Sequence, residues 1–377
     1  MGSVAYIVIP IVTILVFWVY LFFRICKTLK TSSLKKGWQI AISIAVGGAI
    51  TLPIAGLWTA IDAYSVAVIY FCVFLLLTDF ITFIIRLLCK RDNKAWKIIH
   101  NFMVIPLLCT VIIFTYGIIN VRNIVRTEYE ISTEKCIRAE GYKIALLSDV
   151  HYGKLNNKKD LKRIAESLSE QEPDIVILCG DIIDEDTTRA QIREIFSILG
   201  TIKSTYGSYF IFGNHDKQPH NKKPIFTETE LISVIEQNGI TVLNDAAVNI
   251  GDGILLVGRR DRNDERKSVE ELLIGADNSK YIILADHQPY DFKLKSDAGV
   301  DLLLSGHTHG GQLFPVGTFM DLFNIGDMVY GKKQVGNMTA ITTSGITGSH
   351  PLRTQGKSEY VVITVYNQNR TRPISEN

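Results

Sequence analysis

Hydrophobic residues are distributed differently on the two sides of residue 120. Before it, four long apolar stretches run near 4–23, 38–58, 66–88 and 98–119. About 20 apolar residues are enough to cross a bilayer as a helix, and backbone in lipid must be hydrogen-bonded within its own segment. The pattern therefore predicts an α-helical membrane domain with four transmembrane helices at residues 1–120.

After residue 120, short apolar runs alternate with amphipathic segments. This alternation is typical of an α/β domain, in which helices cover a buried sheet. It predicts a connector with a first strand at 121–140, an α/β domain at 141–367 and a polar tail at 368–377. The predicted strands lie at 125–132, 143–148, 174–179, 209–212, 254–257, 281–284 and 301–304.

Charge in the first 120 residues is concentrated in the loops. Residues 24–37 and 86–97 each carry five Lys or Arg, whereas residues 59–65 carry none. Because short cytoplasmic loops are enriched in basic residues, this predicts a multi-pass protein whose α/β domain lies outside the cytoplasm. Residues 121–377 hold 30 basic and 35 acidic residues with no long basic run, which argues against a nucleic-acid partner.

Asp79 is a carboxylate within the third apolar stretch. Because a charge in the bilayer is costly, its side chain must find a partner. We expect a hydrogen bond to Thr78, to Thr82 or to a neighbouring helix, since no second charge within the bilayer suggests a proton relay.

Residues of the kinds that bind metals follow five of the predicted strands. Five of the eight histidines stand at these strand ends, and glycines adjoin several of them. In extended backbone, residues two apart face the same way, so Asp149 and His151 converge on one point. A lone histidine is usually structural, but five in one pattern predict a metal site. The set consists of Asp149, His151, Asp181, Asn214, His215, His287, His307 and His309.

The types of these residues limit the metal. Imidazole with carboxylate suits Mn²⁺, Fe or Zn²⁺. The six cysteines form no C-x-x-C pair, which argues against a thiolate site and a disulfide framework. The number of residues fits two divalent ions with one carboxylate bridging them. Two ions ~3.5–4 Å apart can clamp both oxygens of a displacement at phosphorus, so a phosphoester is the expected substrate.

The order of the motifs adds a family resemblance. D-x-H, G-D-x-x-D, G-N-H-D, a single H and G-H-x-H follow one another over residues 140–365, as in the calcineurin-like metallophosphoesterases. The sequence G-H-T-H-G-G-Q ending at Gln312 is similar to the bacterial membrane-associated branch of that family. The resemblance implies a four-layer sandwich of two mixed sheets flanked by helices.

The resemblance also implies a role for each residue of the set. His215 would bind no metal; it would contact the substrate phosphate and protonate the leaving group. Asp181 would bridge the two ions. One ion would be held by Asp149, His151, Asp181 and His309, and the other by Asp181, Asn214, His287 and His307.

Three further residues have two interpretations each. Asp184 and Asp216 either orient ligand or catalytic histidines, as family analogy implies, or cap local turns. Arg353 either contacts the substrate phosphate, which its guanidinium geometry suits, or forms a structural salt bridge.

A dense apolar group at 313–328 follows the last candidate ligand. We expect it to contribute a strand and a short helix to the core, because most apolar clusters do so. The alternative is a surface that touches the bilayer or an acyl chain.

Three functions remain open at this stage. The favoured one is a phosphoesterase acting on a lipid or membrane-associated substrate. The second is a phosphoesterase for a soluble extracytoplasmic phosphomonoester or nucleotide, and the third is an inactive receptor or scaffold. The intact motifs weigh against the third, and the sequence indicates no oligomeric state.

Overall fold

The computed structural model describes residues 2–30, 32–51, 63–89, 94–153, 157–348 and 350–368. The chain divides into two compact units. The first contains residues 1–118 and 350–352, and the second contains residues 119–349 and 353–377.

The first unit is helical. Its helices are α1 (Gly2–Leu29), α2 (Lys36–Thr51), α3 (Ala63–Cys89), α4 (Lys94–Asn101) and most of α5 (Val104–Arg122). Among the described residues, two helical segments are long and apolar enough to cross a membrane, Ala63–Leu88 and Val104–Arg122, rather than the four predicted.

Two of the predicted stretches have different bounds in the structure. Residues 94–101 form the separate helix α4, and Met103 has a left-handed conformation (φ 55°), so α5 begins later than expected. Helix α2 covers only the first part of the stretch predicted at 38–58, and the rest of that stretch lies outside the described residues. The first predicted stretch lies within α1.

Asp79 of α3 has its partners on neighbouring helices. Tyr20 Oη donates a hydrogen bond to its carboxylate at 2.6 Å. Arg24 Nε of α1 and His100 Nε2 of α4 lie 3.2 and 2.7 Å from Asp79 Oδ1. Arg24 thus supplies the opposite charge that sequence reasoning missed, because α1 continues into the segment read as a basic loop. Thr78 instead donates to the carbonyl oxygen of Phe74 in its own helix.

The second unit contains two six-stranded mixed sheets. The first has the order β1 (Ile124–Thr133), β12 (Ser358–Asn367), β2 (Tyr142–Leu147), β3 (Ile175–Cys179), β4 (Ser208–Ile211), β5 (Ile240–Val242). The second has the order β10 (Gly331–Val335), β11 (Met338–Thr342), β9 (Leu302–Ser305), β8 (Tyr281–Ala285), β7 (Ile254–Gly258), β6 (Ala246–Ile250). Strands β2 to β5 are mutually parallel, as are β7, β8, β9 and β11.

Alternate side chains of each sheet face different layers. Ile144 and Leu146 of β2 belong to the core between the sheets, whereas Ala145 and Leu147 pack with the helices outside the first sheet. The outer face of the second sheet forms a third cluster with helices α9 and α10. The expected pair of mixed sheets flanked by helices is therefore confirmed. The helices are α6 (Lys158–Ser169), α7 (Arg189–Leu199), α8 (Glu228–Gln237), α9 (Val269–Leu272), α10 (Phe292–Asp297) and α11 (Val316–Leu322).

Candidate metal centre

The predicted metal-binding residues lie just beyond the carboxyl ends of five parallel strands. In such sheets the carboxyl ends of parallel strands meet at one edge, which is where ligands bind. Asp149 and His151 follow β2, Asp181 follows β3, and Asn214 and His215 follow β4 in the first sheet. His287 follows β8, and His307 and His309 follow β9 in the second sheet. Both sheets thus contribute to the same site.

The backbone is unusual at these positions. Five of the candidate ligands have a positive φ, a conformation that non-glycine residues rarely adopt and that costs about 1 kcal/mol or more each. Such outliers cluster at functional sites, where the surrounding structure holds them. The five are Asp149 (51°), His151 (43°), Asp181 (53°), His307 (72°) and His309 (51°).

The side chains form two adjacent groups. Asp149, His151 and His309 form the first, and Asp181, His287 and His307 form the second; within each, the donor atoms lie within 4.8 Å of one another. Asp181 Oδ2 lies 3.0 Å from His287 Nε2 of its own group and 4.0 Å from His151 Nε2 of the other. Asp181 therefore stands between the two groups.

Several buried nitrogen and oxygen atoms that could bind a metal have no hydrogen-bond partner among the described residues. Leaving such a polar atom buried and unpaired costs about 1–3 kcal/mol, so a group that pairs with them all is implied. They are His151 Nε2, Asp181 Oδ2, Asn214 Oδ1, His287 Nε2 and His309 Nδ1. Unpaired imidazole nitrogens beside carboxylate and amide oxygens are the donor set of a transition-metal or zinc site, so the residues fit divalent ions.

The second ring nitrogen of two of these histidines is held by the protein. Asp184 Oδ2 lies 2.8 Å from His151 Nδ1, and the Cys179 carbonyl oxygen lies 2.7 Å from His287 Nδ1. Such contacts fix the tautomer and direct the opposite nitrogen toward a metal. Asp184 thus has the orienting position that family analogy implied.

Asp216 has a different position. Its fully buried carboxylate accepts backbone N–H bonds from Asp181, Ile182, Ile183 and Gly213 at 2.7–3.1 Å. It organises the turn that carries Asp181 and contacts no histidine through these bonds. For Asp216, the turn interpretation describes the structure.

Electrostatics favours an ionised Asp181. Burial raises the pKa of its carboxyl, but the charge of His287, with that of further histidines, lowers it to below the usual range. Burial raises the pKa of Asp149, which a bound cation would oppose.

Glycines let the loops approach the carboxylates. A Cβ on Gly213 would lie 2.3 Å from Asp181 Oδ1, and a Cβ on Gly306 would lie 2.3 Å from Asp149 Oδ2. Because both distances are far below contact, only glycine fits at these two positions.

His215 lies beside the two groups with a partner that sequence reasoning missed. Its Nδ1 is 2.9 Å from the Glu185 carboxylate, and its backbone N–H donates to Asp181 Oδ1 at 2.8 Å. Burial lowers the pKa of the imidazole, but the hydrogen bond to Glu185 and the charge of Asp181 raise it more, to about 9. The only signal for Glu185 was its place next to Asp184. His220 is exposed, and the centroid of its ring lies 5.8 Å from that of His215.

Comparison with known proteins agrees with this site. The family model described as calcineurin-like phosphoesterase matches residues 142–311. A metallophosphoesterase of Campylobacter jejuni is 30% identical over 318 residues, covering 82% of each chain. The chain belongs to the calcineurin-like phosphoesterase family.

Two further relatives of the calcineurin-like phosphoesterase type are similar over shorter lengths. A Helicobacter pylori metallophosphoesterase is 32% identical over 236 residues, or 60% of each chain. A zebrafish protein named transmembrane protein with metallophosphoesterase domain is 30% identical over 281 residues, 70% of this chain and 62% of its own. The chain therefore spans about three fifths of the length of these two relatives.

The surroundings of Arg353 favour the structural one of its two interpretations. It is fully buried and donates to the carbonyl oxygens of His309, Ser344 and Thr347 at 2.6, 2.9 and 2.6 Å. These bonds are to backbone carbonyl oxygens rather than to a carboxylate, so the structural role does not involve a salt bridge. Arg353 thus positions the loop of the calcineurin-like domain that carries His309.

Proposed function

We propose that the chain is a membrane-anchored phosphoesterase that hydrolyses a phosphate ester with two divalent ions. The convergence of unpaired donor atoms on either side of Asp181 carries this proposal. When bound, two such ions can hold the attacking and leaving oxygens of an in-line displacement at phosphorus. The residues of the chain then supply position, orientation and a proton.

The two groups of donors support the ligand assignment made from the motifs. Asp149, His151 and His309 would hold one ion, and His287 and His307 the other. Asp181 would contribute to both, and the buried Asn214 oxygen would complete the second set. The mixture of imidazole, carboxylate and amide donors is compatible with Mn²⁺, Fe or Zn²⁺.

His215 would protonate the leaving oxygen of the ester. Glu185 holds Nδ1 of its ring at 2.9 Å, so Nε2 is the nitrogen free to carry the transferred proton. The Glu185 carboxylate at Nδ1 favours the protonated imidazole, the form that a general acid requires. Glu185 is a positioning residue in this scheme, because it acts through His215.

We further propose that the substrate is a lipid phosphoester or another ester presented at the membrane. The support is the membrane-type helix α5, which runs into the catalytic unit with one residue between Arg122 and β1. The rival substrate is a soluble extracytoplasmic phosphomonoester or nucleotide, and an inactive receptor or scaffold is the third possibility.

A substrate panel separates these three functions. Full-length protein in phosphatidylcholine vesicles with Mn²⁺ or Zn²⁺ should hydrolyse a short-chain lipid phosphate with higher kcat/KM than a nucleoside monophosphate. Inorganic phosphate release is the measurement, and the Asp181→Asn variant is the background control. A preference for the nucleotide would favour the soluble substrate, and no turnover of any ester would favour the scaffold.

We propose that the chain is organised as a membrane domain at 1–120, a connector at 121–140 and a catalytic domain at 141–367, with the catalytic domain outside the cytoplasm. The orientation depends on the basic segment 86–97 between α3 and α5, which the positive-inside rule assigns to the cytoplasm. Helix α5 would then cross from the cytoplasm to the outside, so the two spans α3 and α5 are enough to give this orientation.

A pair of reporters tests the orientation. An alkaline phosphatase fused after residue 377, active only outside the cytoplasm, should be active, and a cytoplasm-active fluorescent reporter at the same site should be dark. The opposite pair of results would assign the enzyme to the inner leaflet. Removing the charges of Lys94 and Lys97 should weaken the preference, because loop charge sets orientation.

A further inference from the structure

The apolar group after the last candidate ligand is exposed rather than part of the core. We define the α11 face as Phe314, Val316, Phe319, Leu322 and Phe323. Leu322 and Phe323 are 68% and 66% exposed, and the other three are about half exposed. The core interpretation of 313–328 is thus wrong for these five residues and for the half-exposed Ile325, although Met328 is buried.

The α11 face is continuous. Residues 316, 319, 322 and 323 follow helical spacing, so their side chains lie on one side of α11. The rings of Phe319 and Phe323 stack with centroids 6.2 Å apart. Contiguous exposed apolar patches on a protein surface mark sites that bind a protein, a ligand or a membrane.

The same unit contains the end of the candidate membrane span. Helix α5 has 19 residues and is therefore about 28 Å long, close to the thickness of the hydrocarbon core. Asn120, two residues before its end, donates from Nδ2 to the carbonyl oxygens of Arg353 and Gly356 at 3.1 and 2.9 Å. The loop 353–356 is thereby attached to the carboxyl end of the candidate span.

The loop 353–356 also carries the α11 face. Thr354 Oγ1 accepts from the backbone N–H of Phe314 at 2.9 Å, and Gln355 Oε1 accepts from that of Gly317 at 3.1 Å. Gln355 Nε2 also donates to Thr318 Oγ1 at 3.3 Å. One four-residue loop therefore connects the end of α5 with the first turn of α11.

Helix α11 also contacts the turn that carries His309, one of the candidate ligands. Gly311 ends the turn that begins at His309, and a Cβ on Gly311 would lie 2.2 Å from Gly317 Cα. The first turn of α11 thus packs directly on the turn that carries His309.

From this arrangement we propose that the α11 face docks on the lipid bilayer that α5 spans. The occupant is lipid because the end of a membrane span is attached to the loop that carries the face. The composition of the segment also suits contact with lipid, since Asp321 is the single charged residue in 313–325. Docking holds the metal centre at the headgroup level, where the ester of a membrane substrate lies. This inference rests on the membrane anchoring under the proposed function, and it does not require catalytic turnover.

Quenching of an added tryptophan by brominated lipid tests the docking. The four native tryptophans, at 18, 38, 58 and 96, all belong to residues 1–120. Full-length Leu322→Trp and Phe319→Trp are reconstituted in vesicles of plain or brominated phosphatidylcholine. The matched control is Ile274→Trp, an 82% exposed position beyond α9. Because all three positions are exposed, the substitutions should leave the fold intact.

We expect the emission added at 322 and 319 to be lost in brominated lipid, with the emission added at 274 retained. If the emission added at 322, 319 and 274 were retained equally in brominated lipid, the docking of the α11 face would be overturned. Quenching of the native tryptophans in the same sample would still show that the chain is anchored. Native tryptophans that remain unquenched would overturn the membrane anchoring and the docking together.

Discussion

Replacing Asp181 with Asn is expected to lower kcat/KM by more than about 100-fold and to reduce the bound metal. Even partners one step removed from a metal ligand cost about 10–100-fold when they are lost, and Asp181 is proposed as a ligand of both ions. The amide removes the negative charge that stands between the two histidine groups. Phosphate release and metal content per chain are the two measurements.

The substitution is chosen to leave the fold intact. Asn matches Asp in shape, tolerates the left-handed backbone at this position, and keeps an oxygen for the His215 N–H. The control is Asp186→Asn, the same change at an exposed position five residues on, which should behave as the wild type. A D181N variant with full activity and two ions per chain would reject the bridging role.

Replacing His215 with Ala should separate chemistry from metal binding. Both ions should remain, because His215 is assigned no metal, yet kcat should fall about 10²–10⁴-fold, the usual contribution of a general acid. The fall should be large for an alkyl phosphate and small for a nitrophenyl phosphate, whose leaving group needs no proton. Loss of an ion from H215A would make His215 a ligand instead.

Variants of Glu185 test its role through His215, and a variant of His220 is the matched control. Glu185→Gln should lower kcat for the alkyl ester with little change in KM, and Glu185→Asp should recover part of it. His220→Ala, an exposed neighbour, should leave kcat unchanged. An E185Q effect that is equal for both leaving groups would contradict a role through the His215 proton.

The sequence was informative wherever a local pattern decides the structure. The apolar runs that predict β2 and β3 are buried on both faces, so a continuous run is sufficient to identify them. The motifs that follow these strands were predicted to converge, and parallel pairing of β2, β3 and β4 brings their carboxyl ends together.

Features that depend on distant contacts could not be predicted. The pairing of Glu185 with His215 joins two loops 30 residues apart, and no spacing rule identifies it. The enclosure of Arg353 depends on three carbonyl oxygens from the loops around it. A sequence window shows a charged side chain but not the backbone that surrounds it, so a phosphate contact and a structural role were equally compatible with the pattern.

The hydrophobicity of a segment also could not decide whether its side chains are buried or exposed. The α11 face has the composition of a core segment, and composition favours burial. Only the structure separates the buried Met328 and Val329 from the exposed Leu322 and Phe323. The break between α4 and α5 was missed for a related reason, because both helices contribute apolar residues to one continuous stretch.

Metal titration of the stripped protein shows whether the site works with two ions. Full-length chain, treated with a chelator and returned to vesicles, is titrated with Mn²⁺ or Zn²⁺ while bound metal and phosphate release are measured together. We expect activity to return as two ions bind per chain, and we expect D181N to fail to reach this stoichiometry. Full hydrolysis in the metal-free protein, or saturation at one ion with full activity, would contradict the two-metal centre.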